Sequence, residues 1–127
     1  MLIVKPILDK DTQEELGAKC GVNYNPDALA FSAYLDDVFF GYCQFTVNGT
    51  IATLTDIRSV SDDFEAMFIM SRGALNYIDL CGFHTARCTS SAGNLTLLRA
   101  IGFKEIDNNL FEINLTDEFT GKCTHCN

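Results

Sequence analysis

Apolar and polar positions follow two rhythms along this chain: a two-residue alternation in its early and late stretches, and a helical period near the middle. Residues 2–8 predict a first strand, with Pro6 assigning it to an edge or a strand end. Asp11 or Thr12 can cap a short helix running through Glu14, Glu15, Leu16 and Cys20 and stopped by Gly21. Residues 23–27 make a turn-rich loop around Pro26. Two strands follow, 28–35 and 38–47, and the Asp36-Asp37 junction leaves room only for a tight hairpin. Asn48-Gly49 predicts a two-residue type I′ turn, whose central positions both need positive φ, leading into a strand over 51–57. These three strands form an antiparallel meander.

The helical period then takes over. Asp62 is placed to cap, with Glu65 three residues on to close a capping box. Phe64, Met67, Phe68, Ser71, Leu75 and Ile78 recur at helical spacing until Gly82 stops the helix. Residues 83–88 have the length and bulk of a buried strand. A strand, helix and strand joined this way imply two parallel strands and a right-handed crossover. Tyr77, Ile78, Leu80 and Cys81, on the far side of the helix, leave it apolar on more than one face, to be covered by the sheet on one side and by the tail or a second copy of the chain on the other. Ser90 or Ser91 caps a second helix faced by Leu95, Leu98 and Ile101, with Gly102 terminating it and Phe103 as hydrophobic partner. Strands 103–106 and 110–115 make a last hairpin around Asp107-Asn108-Asn109, and the tail, 116–127, is expected to be loosely ordered apart from Phe119. The expected fold is thus α/β in one domain, 1–127: a mixed sheet with an antiparallel meander, one βαβ crossover and a C-terminal hairpin, helices on both faces.

Charge narrows the choice of partners. Seventeen acidic against nine basic side chains give −8, which repels a phosphate backbone, and no Lys/Arg cluster offsets it. Nucleic acid and anionic membranes are excluded on that ground, while a cationic amine or polyamine is favoured by the field. The opening Leu2-Ile3-Val4 is cut off by Lys5-Pro6, too short for a signal peptide or membrane span. The six cysteines then read as reduced thiols in a cytoplasmic protein.

The order of elements, and above all Asn94-Leu-Thr-Leu-Leu-Arg-Ala-Ile-Gly102-Phe103 followed by a hairpin, resembles the GNAT superfamily of acyl-CoA N-acyltransferases over about residues 28–115. Gly41, in Phe39-Phe40-Gly41-Tyr42-Cys43, falls where such sequences usually carry glycine. The resemblance implies transfer of an acyl group, most simply from acetyl-CoA, to an amine of a small molecule or protein. It assigns Asp56 to amine positioning or general base, backbone N–H groups of Arg58, Ser59 and Val60 to oxyanion stabilisation beside the acyl donor, and Ser91 and Asn94 to the cofactor arm. Two departures stand against it. The family's glycine-rich pyrophosphate loop is replaced by Ser59-Val60-Ser61-Asp62-Asp63-Phe64-Glu65, three of whose side chains are carboxylates that stabilise a bare helix and repel a phosphate. The tyrosine that protonates the departing thiolate in many relatives is Leu98 here. A catalytically degenerate module of this fold, used for binding or dimerisation, is the alternative.

Other groupings have plainer readings. Asp56 and Arg58 alternate on one side of their strand, as an ion pair or as functional groups. Cys123-Thr-His-Cys126 has the spacing of half a zinc site but lacks a fourth ligand, so no metal is expected. Cys88 and His84 read first as a packed thiol and a packed or edge imidazole.

Overall fold

A computed structural model describes residues 1–120 and carries seven strands in one sheet, ordered β1-β2-β3-β4-β5-β7-β6. The strands are β1 (Leu2–Pro6), β2 (Leu29–Leu35), β3 (Val38–Asn48), β4 (Ile51–Ser59), β5 (Thr85–Cys88), β6 (Lys104–Asp107) and β7 (Leu110–Asn114). Helix α1 (Lys10–Lys19) lies on one face, and α2 (Phe64–Leu80) and α3 (Leu95–Ile101) pack together on the other. Strands β1 to β4 pair antiparallel, β4 and β5 run parallel, and β7 enters antiparallel beside β5. The expected meander, crossover and terminal hairpin are therefore all present. Pro6 ends β1 at one rim of the sheet, and the four-residue β6, exposed throughout, forms the other.

Local chemistry explains the boundaries, several of which differ from those read in the sequence. The cap of α1 is Asp9, not Asp11 or Thr12; its carboxylate accepts from the Thr12 N–H and hydroxyl, which holds its pKa below the usual value. The cap of α2 is Asp63 rather than Asp62, accepting from Ala66 N at 3.0 Å. The cap of α3 is Asn94, accepting from Leu97 N at 3.1 Å, while residues 90–92 form a separate 3-10 turn. The β3–β4 turn is shifted by one residue: Asn48 pairs with Ile51, so Gly49 and Thr50 occupy the turn and only Gly49 has positive φ. That is the pattern of a type II′ turn with glycine first. At Asp36-Asp37 both residues have positive φ, as a type I′ hairpin requires.

Helix α2 buries Ala66, Met70, Ser71, Ala74, Leu75, Ile78 and Asp79, whereas Phe64 is exposed and Met67 and Phe68 are half-buried. Gly82 closes the helix at φ 99, its N–H on the Asp79 carbonyl and the Phe83 N–H on that of Ile78. Gly102 ends α3 the same way, with Phe103 N reaching the Leu98 carbonyl at 3.0 Å. Leu97 takes the buried position expected of Leu95, which is exposed. The start of the tail is ordered: Thr116–Thr120 winds into a π-helical turn whose Phe119 ring lies under Arg72, 4.7 Å from the guanidinium carbon. The Cys123-to-Cys126 stretch lies outside the described residues.

Candidate active site

Strand β4 positions the site because its two halves are held differently. Ile51, Ala52 and Thr53 pair on one side with β3 and on the other with Thr85, Ala86 and Arg87 of β5. There the β5 ladder stops, although β4 runs six residues further, to Ser59. The partnership with β3 also slips at this point: Gln44 faces Asp56 and Phe45 faces Leu54, leaving Thr55 as an extra residue. A bulge of this kind bends its strand and re-aims the side chains that follow. The parallel pair therefore parts just where Asp56 and Arg58 begin.

The bulge is pinned by a polar network on the α1 side of the sheet. The Tyr42 hydroxyl donates to Gln44 Oε1 at 2.7 Å. Gln44 Nε2 reaches Thr55 Oγ1 at 3.2 Å and Asp56 Oδ2 at 3.4 Å, and the Thr55 hydroxyl donates to the Gln44 carbonyl at 3.3 Å. Tyr42 is 1% exposed, and burial, with the Asp56 charge as a second cause, pushes its pKa up to about 12. It is a neutral hydrogen-bond donor across the physiological range. Register explains the grouping, since Tyr42 lies opposite Arg58 and Gln44 opposite Asp56. Gln44 is the member that the sequence reading passes over, and that reading gives Tyr42 no place in the site. Their two-residue spacing inside an apolar strand, matched by Asp56 and Arg58 in the next strand, is the signal that marks them.

The remaining predicted residues have distinct fates. Arg58 lies 3.8 Å from Asp56 and donates through Nη2 to the Ser91 carbonyl at 2.8 Å, so the structure brings Asp56, Arg58 and Ser91 together. Ser91 Oγ is 2.7 Å from Thr89 Oγ1. The Asn94 side-chain oxygen is engaged in capping α3. Ser59 donates to the Ser61 carbonyl. Val60 N–H, expected as an oxyanion donor, is instead bound to the Phe40 carbonyl at 2.8 Å, because the β3–β4 ladder continues past Ser59. Leu98, at the expected tyrosine position, is 0% exposed within the apolar core.

Gly41 follows from the same geometry. A Cβ there would stand 2.5 Å from Met70 Sδ and 2.8 Å from the Arg58 carbonyl oxygen, so only glycine lets β3 pass this close to α2 and β4. Cys88 is buried and its thiol is pushed up to about 12, which makes it inert. His84 Nδ1 meets the buried Asp79 carboxylate at 2.6 Å at the end of α2. Cavities of about 350, 240 and 220 Å³ lie elsewhere, and none of these three is lined by Asp56, Arg58 or Ser91. Among the described residues no group of three His, Cys, Asp or Glu side chains is placed to hold a metal, and no helix is long and apolar enough to cross a membrane.

Comparison with solved structures gives the class of fold. The chain is similar to an IAA acetyltransferase from Bacillus cereus ATCC 14579, at TM-score 0.71 and 13% identity over 91% of this chain and 100% of that one. It is similar to a putative acetyltransferase of the GNAT family from Desulfovibrio desulfuricans, at TM-score 0.71 and 8% identity over 91% and 99%. A PaiA N-acetyltransferase from Thermoplasma acidophilum, solved in complex with coenzyme A, superposes at TM-score 0.58 and 13% identity over 81% and 67%. No family model matches the sequence, and no curated protein matches it. The fold is that of the GNAT acetyltransferases.

Proposed function

We propose that the protein transfers an acyl group, most simply acetyl, from acetyl-CoA to an amine of a small molecule or protein. The observation that carries this reading is the bulged β4, which parts from β5 with Asp56 at the point of divergence. Among the described residues, the β5 side of β4 has no strand partner beyond Thr53. Unpaired strand edges take up extended amide-bearing chains, and the pantetheine arm of coenzyme A is such a chain. The strand edge suits that arm once the turn at 90–92 is displaced from it, and binding is opposed at the pyrophosphate, where Asp62, Asp63 and Glu65 gather at the start of α2 in place of glycine.

When bound, acetyl-CoA supplies the activated acyl group as a thioester. Asp56 orients the incoming amine and takes its proton as the new C–N bond forms, and that proton ends on the released thiol by way of water. Gln44, held by Tyr42, fixes the Asp56 carboxylate. The cofactor side is assigned to Arg58, Ser59 and Ser91, whereas the Val60 N–H and the Asn94 side-chain oxygen are already engaged by the Phe40 carbonyl and the α3 cap. A cationic amine is favoured by the charge of −8, and the four free cysteines among the described residues suit a reducing cytoplasm.

Thermal denaturation with acetyl-CoA tests the reading. At a hundred times its Kd the ligand is expected to stabilise the fold by ~2.7 kcal/mol. Against a panel of amines, Asp56→Asn is expected to lower kcat by roughly 10²- to 10⁴-fold. No thermal shift at millimolar acetyl-CoA overturns the proposal.

One observation favours a second reading, a catalytically silent module that binds a partner or a second copy: Leu98 is sunk in the core where a hydroxyl would serve the thiolate. A stable dimer by light scattering, with no response to acetyl-CoA, selects it.

A further inference from the structure

Where β4 parts from β5, the chain folds back to stop the gap it has made. Residues 90–92, directly after β5, turn onto β4, and Ala92, 1% exposed, joins the core cluster that contains Ile57. Gly93 lies flat on the strand: a Cβ there would sit 3.4 Å from Ile57 Cβ and 3.5 Å from the Ile57 carbonyl oxygen. The turn itself is slight, held by the Ala92 N–H on the Thr89 carbonyl, by the contact between the Thr89 and Ser91 hydroxyls, and by the Ser90 N–H on Asn109 Oδ1 of the β6–β7 hairpin at 3.2 Å. Its cross-tie to β4 is the Arg58 guanidinium on the Ser91 carbonyl.

We propose that Arg58 is a latch across the mouth between β4 and β5, and that an occupant of that mouth enters only as Arg58 leaves Ser91. The identity of the occupant, acetyl-CoA, rests on the function proposed above; the latch does not. Its bond is between a cation and a neutral carbonyl, on a side chain more than a third exposed, so it yields readily to a stronger acceptor. A phosphate oxygen is such an acceptor, because guanidinium–phosphate hydrogen bonds are charge-assisted on both sides. Arg58 thereby offers the positive charge that the acidic start of α2 denies to an anionic ligand.

The test compares the wild type with Arg58→Met, which keeps the apolar stem but removes the donor, and Arg58→Lys, which keeps a charge beside Asp56 but loses the planar fork. Amide hydrogen exchange by NMR reads the latch without any ligand. Exchange at Ala92 is expected to quicken at least tenfold in Arg58→Met, with the denaturant midpoint little changed, and by an intermediate factor in Arg58→Lys. Unchanged exchange at Ala92 overturns the latch. Stopped-flow mixing with acetyl-CoA at high salt, where the steering lost with the cation is screened, reads the gate: association is expected to be at least threefold faster in Arg58→Met, and a rate equal to or below that of the wild type overturns the gating role. If acetyl-CoA binds neither protein, the acyl-CoA reading falls and exchange at Ala92 alone decides the latch.

Discussion

Beneath α2 and α3 the sheet is covered by a continuous apolar layer, from Phe31 and Phe45 through Leu54 and Ile57 to Phe111 and Ile113. Beneath α1 the apolar cluster is small, built on Leu16, Val22, Ala30 and Tyr42, and shares the face with Gln13, Gln44 and Asp56. Gln13 spans the gap under α1 through Nε2, at 3.2 Å from both the Asn25 and the Ala28 carbonyls. Every buried side-chain nitrogen and oxygen among the described residues has a partner, so the polar face is satisfied without being dry. One face supplies cohesion and the other supplies direction. Apolar contact is indifferent to rotation, whereas a chain of hydrogen bonds fixes where a carboxylate points.

That contrast can be broken most strongly by cavities. Leu75→Ala, deep under α2, is expected to cost about 2–5 kcal/mol, and Leu16→Ala, in the small cluster, to fall at the low end of that range. Urea denaturation of both decides it; equal losses would erase the distinction between the faces. Tyr42→Phe comes next, at roughly 1–3 kcal/mol, because Gln44 Oε1 loses its donor in a buried place. The same change should free the Asp56 side chain, visible as an altered carboxyl chemical shift.

Alkali separates the faces by pH. Cys43 and Cys88, both under α2, are raised by burial from 9.0 to about 12, and Tyr42, under α1, from 10.0 to about 12. In each case the unfolded chain releases its proton first, so stability is whole below the unfolded pKa and falls as pH rises toward the folded one. The slope is at most about 1.4 kcal/mol per pH unit per group. The loss should therefore begin near pH 9 on the dry face and steepen above 10 when Tyr42 joins. Cys43→Ala with Cys88→Ala should flatten the first part of a stability-versus-pH curve, and Tyr42→Phe only the second.

The smallest effects sit at the start of α2. Asp63→Ala removes the cap and is expected to cost about 1 kcal/mol. Asp62→Asn, at an exposed residue that is not the cap, should leave stability within about 0.5 kcal/mol. It should tighten acetyl-CoA by up to about fivefold, the worth of ~1 kcal/mol for unit charges near 4 Å in water. Calorimetry on both variants separates capping from repulsion.

Element type and order were legible in the sequence because Gly21, Gly82 and Gly102 punctuate the helices and the two turns at Asp36 and Gly49 punctuate the meander. Boundaries were less so, and for one reason. Asp9, Asp11 and Thr12, then Asp62 and Asp63, then Ser90, Ser91 and Asn94 each offer several competent caps within a few residues, and packing of the buried face selects among them. Asp56 and Arg58 could be marked as candidates by their chemistry and Ser91 by the family resemblance, but not their meeting. That depends on the extra residue at Thr55, which no local propensity announces, and on register with β3, which brings in Tyr42 and Gln44.

The rims of the sheet also bear on how copies of the molecule meet. Strand β6 is four residues long and carries Lys104, Glu105 and Asp107, while β1 at the opposite rim carries Lys5 and ends in Pro6. A strand from another molecule docking on either rim would have to bury charge or meet a residue with no N–H to offer. End-to-end growth of the sheet into fibrils is opposed at both ends. Self-association, where it occurs, is thereby directed away from strand addition and toward helical surfaces such as the outer side of α2, where Ile69 and Leu80 stand exposed.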